Sequence, residues 1–494
     1  MTVRTAAYTA LLPLFLLLAG CLVGPDYYRP PPAAAPAARY KELPGWAPAT
    51  PADADPKGDW WTYFHDPLLD QLEPTVRISN QTIQAAYQNY QEALALVREA
   101  DAALFPTIGA TGSVTRSRNN ISETTSGTNV ARGSSTFEIT EGTVESTLTW
   151  DLDVWGKLRR TIEENQANAQ ASEATLANAT LSAQVTLATT VINLRATDVN
   201  IDLLRRTVLE YKEYLRVVSN AVEAGSSLYP PSDVFIARVQ LENAQASLIA
   251  LGVARAQYAH AIAVLVGKNP EDLDIPHSTG LPVLPDIPVS VPSTLLQRRP
   301  DIAAGERTVA AQNAAIGVAI AAYYPDISLS AAYGFAQGPL GALFSAANTV
   351  WSIGAAGTET IFDFGARRAE VAAAKAAYES AVATYRATVL SAFQGVEDNL
   401  AGLRILARQA AVLEVAVRNA KRAAEIARNE YLAGTVDYTT VAVAQATALT
   451  DEQNLLAVQQ SQLVDAATLI GDLGGGWSET QLSNVPYLDS PAQW

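Results

Sequence analysis

Cys21 is the only cysteine in 494 residues, and it closes the run Leu18, Ala19, Gly20, Cys21 behind an apolar stretch from Ala10 to Leu18 and a lone Arg4. A thiol in that setting can take up a lipid: the layout is that of a bacterial lipoprotein signal, too short to span a bilayer, with small residues at the cut. Cys21 is then the mature N-terminus and the lipid attachment site, so residues 1–20 are a signal peptide. Residue 22 is Leu, not Asp, which points to the outer membrane. Other chemistry is scarce. His65, His260 and His277 have no helical or hairpin ligand spacing, so no metal site is expected. There is no Gly-rich phosphate loop and no nucleophile placed with a histidine, so no enzyme is expected and no cofactor beyond the lipid. Glu163, Glu164 and Glu173 fit a solvated helix face better than an acid and base pair.

Asp and Glu outnumber Lys and Arg by 50 to 34, a formal charge of −16, which excludes nucleic acid as a partner. With Cys21 acylated, no disulfide is possible. After the signal no apolar run is long enough for a transmembrane helix, so any crossing must use strands. Residues 21–58 are rich in Pro and Ala and predict a stiff, extended tether from the lipid.

The elements that follow occur twice. Gly156 and Gly365 share one separation with Gly225 and Gly434, while Pro106 and Pro325 lie about ten residues further apart, as expected of two copies of one unit. The first copy, 59–280, predicts a helix, a β-hairpin over 107–152, a long helix over 157–222 and a helix over 233–266. The second, 281–480, predicts a helix over 300–323, a hairpin over 326–362, a long helix over 366–432 and a helix over 438–471, before a tail at 481–494. The segment from Lys157 to Val222 lacks Pro and Gly and would reach roughly 100 Å. Leu187, Leu194, Ile201, Val208, Leu215 and Val222 form a heptad stripe, and Val185, Ile192 and Val199 a second one nearly opposite. Two opposed stripes predict a curved wall one helix thick. Pro74 predicts a kink or a later start in the first helix.

The hairpins alternate. Ile108, Ala110, Gly112 and Val114 share one phase, as do Ile327, Leu329, Ala331, Tyr333 and Phe335, with Thr, Ser and Gly between them. The return strands are less regular, with a phase change near Glu141 to Thr143 and Glu359 on the apolar phase. Phe105, Trp150, Trp155, Tyr323, Tyr324, Phe362 and Phe364 gather where strands meet helices, the place of an interfacial belt. Four strands cannot close a barrel, and an open edge in hydrocarbon leaves backbone groups unpaired, so closure requires further copies of the chain.

Several motifs occur in a fixed order: Cys21, Val23, Gly24, Pro25, Asp26 and Tyr27; Trp60, Trp61, Phe64, Asp66, Pro67, Leu68 and Leu72, with Asn80 and Ala85 behind; Arg299, Pro300, Asp301, Ile302 and Glu306; and Leu473, Gly474, Gly475, Gly476 and Trp477. In these the chain resembles the outer-membrane efflux protein family, the TolC-like ducts, and within it the lipidated OprM/NodT-type branch. The resemblance implies a mainly α fold with a membrane β-barrel portion: a homotrimer whose twelve-stranded barrel, four strands per chain, continues into a twelve-helix α-barrel. It implies the exit duct of a tripartite efflux system in the cell outer membrane, with a periplasmic adaptor and an inner-membrane pump of RND type as partners. The cargo is not legible. A structural coiled-coil lipoprotein without a pore is the alternative.

The resemblance also places a gate at the turns near Gly225 and Gly434. Positions that often carry a ring of aspartates are here Thr440 and Val443, and Thr439 stands where leucine is common; the nearest acid is Asp437. Ser232 and Asp233 match the polar pair at the other turn, and they equally fit an N-cap for a helix from Val234.

Overall fold

A computed structural model describes residues 22–33, 40–42, 59–122, 134–225, 230–287, 297–338 and 340–483. Helices α1 (Pro67–Ser79) and α2 (Gln81–Ala102) lead into strands β1 (Thr107–Ser122) and β2 (Ser134–Leu152), then α3 (Lys157–Glu223) and α4 (Pro231–Leu265). The second half has α5 (Pro300–Ala321), β3 (Asp326–Gly338), β4 (Thr349–Thr358), α6 (Ala366–Leu432) and α7 (Tyr438–Asp472). Both long helices have 67 residues, roughly 100 Å at the α-helical rise.

Local chemistry sets the boundaries. Asp66 caps α1 by accepting from Leu68 N at 2.8 Å, with Pro67 at the first helical position. Pro74 neither delays α1 nor ends it: the helix starts ahead of it and the break falls at Asn80. Asn80 caps α2 through Oδ1 and donates Nδ2 to Leu265 O at 2.8 Å, fastening the corner to the end of α4. Each long helix follows a glycine in the left-handed region, Gly156 at φ 82° and Gly365 at φ 92°, where the chain turns out of a strand.

The strands form one antiparallel sheet in the order β1-β2-β3-β4. Its register puts Ile108, Ala110 and Val114 beside Leu148, Ser146 and Gly142, and carries the same face on through Ala331 and Tyr333 to Ile353 and Trp351. The opposite face holds Thr107, Thr111, Glu145, Thr147, Ser330 and Gly354. The register between β2 and β3 shifts between Gly142 and Val144. Gly142 admits the loop after β3 there, since a Cβ would meet Leu343 at 3.0 Å. The final strand is shorter than its alternation suggested. It ends at Thr358, and Glu359 leaves the sheet to accept from Arg367 Nη1 at 2.9 Å, so this acid does not sit on the apolar phase of β4.

Below the sheet, α3 packs against α2, α4, α5 and α7, and α6 against α5 and α7. A wall one helix thick is correct for part of this length only. Around Leu187 to Leu204, α1, the Trp60–Phe64 turn and the segment after α4 cover α3 from outside, so Leu187, Val191, Ile192 and Leu194 belong to one core with Trp60, Phe64, Leu69, Ile262 and Leu463. Arg299 ties the start of α5 to the end of α7, bonding Asp301 at 2.7 Å and Asp472 at 2.8 Å.

The described part of the tether is not free. Val23 N donates to Trp155 O at 3.2 Å, Asn313 Nδ2 to Pro25 O at 3.0 Å, and the Tyr27 hydroxyl to Glu306. Arg160, buried, donates Nε to Val23 O at 3.0 Å and Nη1 to Glu163 at 2.6 Å; a buried guanidinium requires acceptors, and the strap supplies them. Further on, Glu397 accepts from Lys41 N and Glu42 N. The acids read as a solvated face are partly engaged too, since Glu173 accepts from Ser483 N at 2.9 Å. Gly24, at φ 98°, crosses so close that a Cβ would lie 2.5 Å from Gly317 Cα. Gly24→Ala is therefore expected to lift the strap and cost about 1–3 kcal/mol, read as a lower thermal midpoint and faster proteolysis within residues 22–33; an unchanged midpoint would contradict this packing.

Candidate functional site at the helical tip

The far end of the molecule from the sheet is built from the ends of α3 and α6 and the starts of α4 and α7. Both turns need a left-handed residue, and glycine supplies it: Gly225 at φ 76° and Gly434 at φ 73°. Residues 226–229 lie outside the described residues. In the second turn, Thr435 N returns to Glu430 O at 3.0 Å, and Asp437 caps α7 by accepting from Thr440 N at 2.9 Å and Thr440 Oγ1 at 3.1 Å. In the first, Pro230 and Pro231 start α4 earlier than expected. Neither Ser232 nor Asp233 is a cap: proline can open a helix without a donor, which moves both residues into its first turn.

The two turns are latched together. Asp233, 4% exposed, accepts from the Tyr431 hydroxyl at 3.2 Å. The Tyr438 hydroxyl donates to Gln240 Oε1 at 3.0 Å, and Gln240 Nε2 donates to Ala442 O at 3.0 Å. Around these bonds Tyr214, Val218, Ala237, Ala427, Tyr431, Tyr438, Val441 and Ala442 form a small apolar core of their own. Tyr431 and Tyr438 meet edge to face at 5.4 Å, and the Arg428 guanidinium lies over Tyr214 at 5.7 Å. Above the latch α3, α6 and α7 part around a cavity of about 640 Å³ lined by Arg206, Glu210, Lys421, Arg428 and Glu452. The latch is thus a separate, thin contact.

The remaining sequence-predicted positions are on the surface. Ser232, Thr439 and Thr440 are exposed, Val443 is 60% exposed, and Asp437 faces water while holding its cap. Cys21 lies outside the described residues. Tyr214, Tyr431, Tyr438 and Gln240 were missed. Tyr431 stands three residues before Gly434, where an aromatic at the end of an apolar seam was the available signal.

Burial pushes the Asp233 carboxyl above the ordinary range; the bonds from Tyr431 and Ser232 oppose this, and the nearby Asp437 charge adds to it. Burial likewise raises the Tyr438 hydroxyl.

The sequence model for outer membrane efflux proteins matches residues 74–268 and 291–475. The antibiotic efflux pump outer membrane protein ArpC of Pseudomonas putida is 32% identical over 473 residues, covering 94% of each chain. Among solved structures, the outer-membrane channel OprN is 27% identical with a TM-score of 0.83 over 92% of this chain and 100% of that one. The open state of the Neisseria gonorrhoeae MtrE outer membrane channel has 25% identity and a TM-score of 0.80, over 93% of this chain and 99% of that one.

An acid held above its unfolded value binds its proton more tightly in the folded state, so its contribution to stability falls as pH rises above the unfolded Asp value near 3.9. The tip should therefore loosen from mildly acidic to neutral pH. Asp233→Asn keeps an acceptor for Tyr431 and removes the charge; hydrogen exchange at the tip should slow at neutral pH, by the equivalent of about 1 kcal/mol, and lose that pH dependence. Faster exchange in this variant would contradict the assignment.

Proposed function

The chain belongs to the outer membrane efflux protein family, and from that premise we propose that three copies form a passive exit duct whose periplasmic entrance is held shut by the Asp233–Tyr431 latch. It is an outer-membrane channel of an efflux system. The chain performs no catalysis in this reading: an inner-membrane pump of RND type supplies the energy and a periplasmic adaptor joins the two.

The observation that carries the reading is the sheet, apolar on one face and polar on the other, with both outer edges open. Twelve strands from three copies pair those edges and turn the polar face into a lumen. The helical wall needs the same closure. α4 is apolar enough to cross a membrane by composition, with mean hydropathy 1.5, yet only 11% of that stretch is buried. It starts at the tip and spans about 50 Å, so it ends far short of the membrane that holds the sheet. Phe235, Val239, Ile249 and Val253, exposed along it, are covered instead by the neighbouring copy.

Cys21 carries the lipid. Val23 is bonded to Trp155 at the junction of strand and helix, beside the Trp155–Tyr324 stack at 4.9 Å, and an aromatic belt at that level supports an anchor next to the inner leaflet. Opening parts the two turns, which breaks the thin latch and leaves the broad core around Trp60 and Leu187 in place. The coiled-coil lipoprotein without a pore loses ground, because it needs neither an apolar sheet face nor relatives named as channels.

Joining the exposed positions Ser232→Cys and Asp437→Cys with a short bifunctional maleimide, which leaves the Asp233–Tyr431 bond in place, is expected to abolish export and hold planar-bilayer conductance low, while undiminished export would overturn the mechanism. Without acids at Thr440 and Val443, the wild type should be blocked only weakly by trivalent cations, and Val443→Asp should gain block. Equal block in both forms would remove Val443 from the entrance.

A further inference from the structure

We propose that His277, set between Asp198 and Asp202, is a proton-binding clasp that fastens the segment joining the two repeats onto the long helix α3. That segment leaves α4, turns at Pro270–Asp272 and crosses α3 at the level of the broad core, with Ile275 and Ile287 buried along it. Asp198 has no exposed surface. Its Oδ1 accepts from Arg255 Nε of α4 at 2.7 Å and lies 3.1 Å from His277 Nδ1, while its Oδ2 accepts from Ser278 N at 3.1 Å. One turn along α3, Asp202 Oδ1 lies 2.9 Å from His277 Nε2 and accepts from Arg205 at 3.2 Å. Two further bonds hold the crossing, from Arg195 Nη1 to Pro276 O at 3.3 Å and from Arg255 Nη2 to Ile275 O at 2.9 Å.

Both ring nitrogens of His277 therefore face a carboxylate. A neutral imidazole carries one N–H and one lone pair, so it satisfies one of the two and turns its lone pair toward the other. Only the doubly protonated ring donates to both. The charged groups around it are Asp198, Asp202, Arg195 and Arg205 on α3, Arg255 on α4, and Asp66 at the start of α1, which takes the Arg195 Nε bond at 2.8 Å. Arg255 shares Asp198 Oδ1 with the ring and Arg205 shares Asp202 Oδ1, so each carboxylate also has a guanidinium partner, and the two ring protons add to those bonds rather than replace them.

The signs follow from this geometry. A bridge to both carboxylates needs both ring protons, so it is complete in the doubly protonated ring and loses one bond in the neutral one. For Asp202, burial pushes the carboxyl up, but the bonds and charges of His277 and Arg205 outweigh it and hold the group low. A carboxyl held low contributes above its unfolded value, near 3.9, and loses that contribution as pH falls further. The clasp is tightest where Asp202 is ionised and His277 carries both protons.

Hydrogen exchange of the full-length protein in detergent, corrected for the intrinsic pH dependence of amide exchange, tests this directly. Peptides covering residues 273–281 should be several-fold better protected at about pH 5.5 than at about pH 7.5. His277→Gln, which keeps a side chain of similar reach but cannot take the proton, should erase that difference. If it fails to assemble, Asp202→Asn should erase it in the same way. Equal protection of the wild type at both pH values, or an unchanged pH dependence in either variant, would overturn the proposal. The readout does not involve conduction, so it stands or falls apart from the duct.

Discussion

Two unpaired strand edges govern this molecule. The sheet ends at β1, with 16 residues, and β4, with 10, and along each the outward-facing backbone donors and acceptors pair with no further strand among the described residues. In hydrocarbon each unpaired group costs several kcal/mol, more than any side-chain contact on the sheet returns. The apolar phase through Ile108, Leu148, Ala331 and Ile353 forces that sheet toward lipid all the same. Closure between copies resolves the conflict, and the exposed apolar stripe of α4 makes the same demand on the helical wall.

The two halves meet this demand with one architecture and different local chemistry. Where strand turns into helix they agree: Asp153 accepts from Leu158 N and Arg159 N, and Asp363 from Gly365 N and Arg367 N, each beside a left-handed glycine. At the tip they diverge, with Pro230 and Pro231 opening α4 and the Asp437 cap opening α7. At the level of the broad core the pairs are also joined by amides a heptad apart, Gln460 to Asn193 at 2.7 Å and Gln453 to Asn200 at 3.2 Å. A polar seam of this kind fixes register while adding little apolar cohesion. In the proposed opening the broad core around Trp60 and Leu187 is the fixed end of the helical body, and the smaller tyrosine latch its movable end.

Much of this could be read before any coordinates. The internal repeat, the lengths of the long helices and the phase of β1 and β3 follow from spacing alone, because those patterns reflect burial imposed over many residues. What could not be read depends on contacts between distant segments. Glu359 looked misplaced until Arg367 came beside it, and the Pro-rich segment looked like a free tether because nothing local marks Arg160 as the residue that binds it. The family pattern pointed to Thr440 and Val443 at one turn and to Ser232 and Asp233 at the other; of these only Asp233 is buried, and its partner Tyr431, far away in sequence, could not be read from the pattern. His277 was weighed for metal-ligand spacing along the chain, and its partners Asp198 and Asp202 lie on a different element.

The claim beneath all of this is that one chain cannot satisfy its own strand edges. The most direct measurement is the mass of the protein purified from membranes, released intact from detergent micelles. The account predicts a single species of three chains that resists dissociation until the sheet unfolds. A monodisperse single chain retaining its strands, stable in water without detergent once the acyl group is removed, would contradict it.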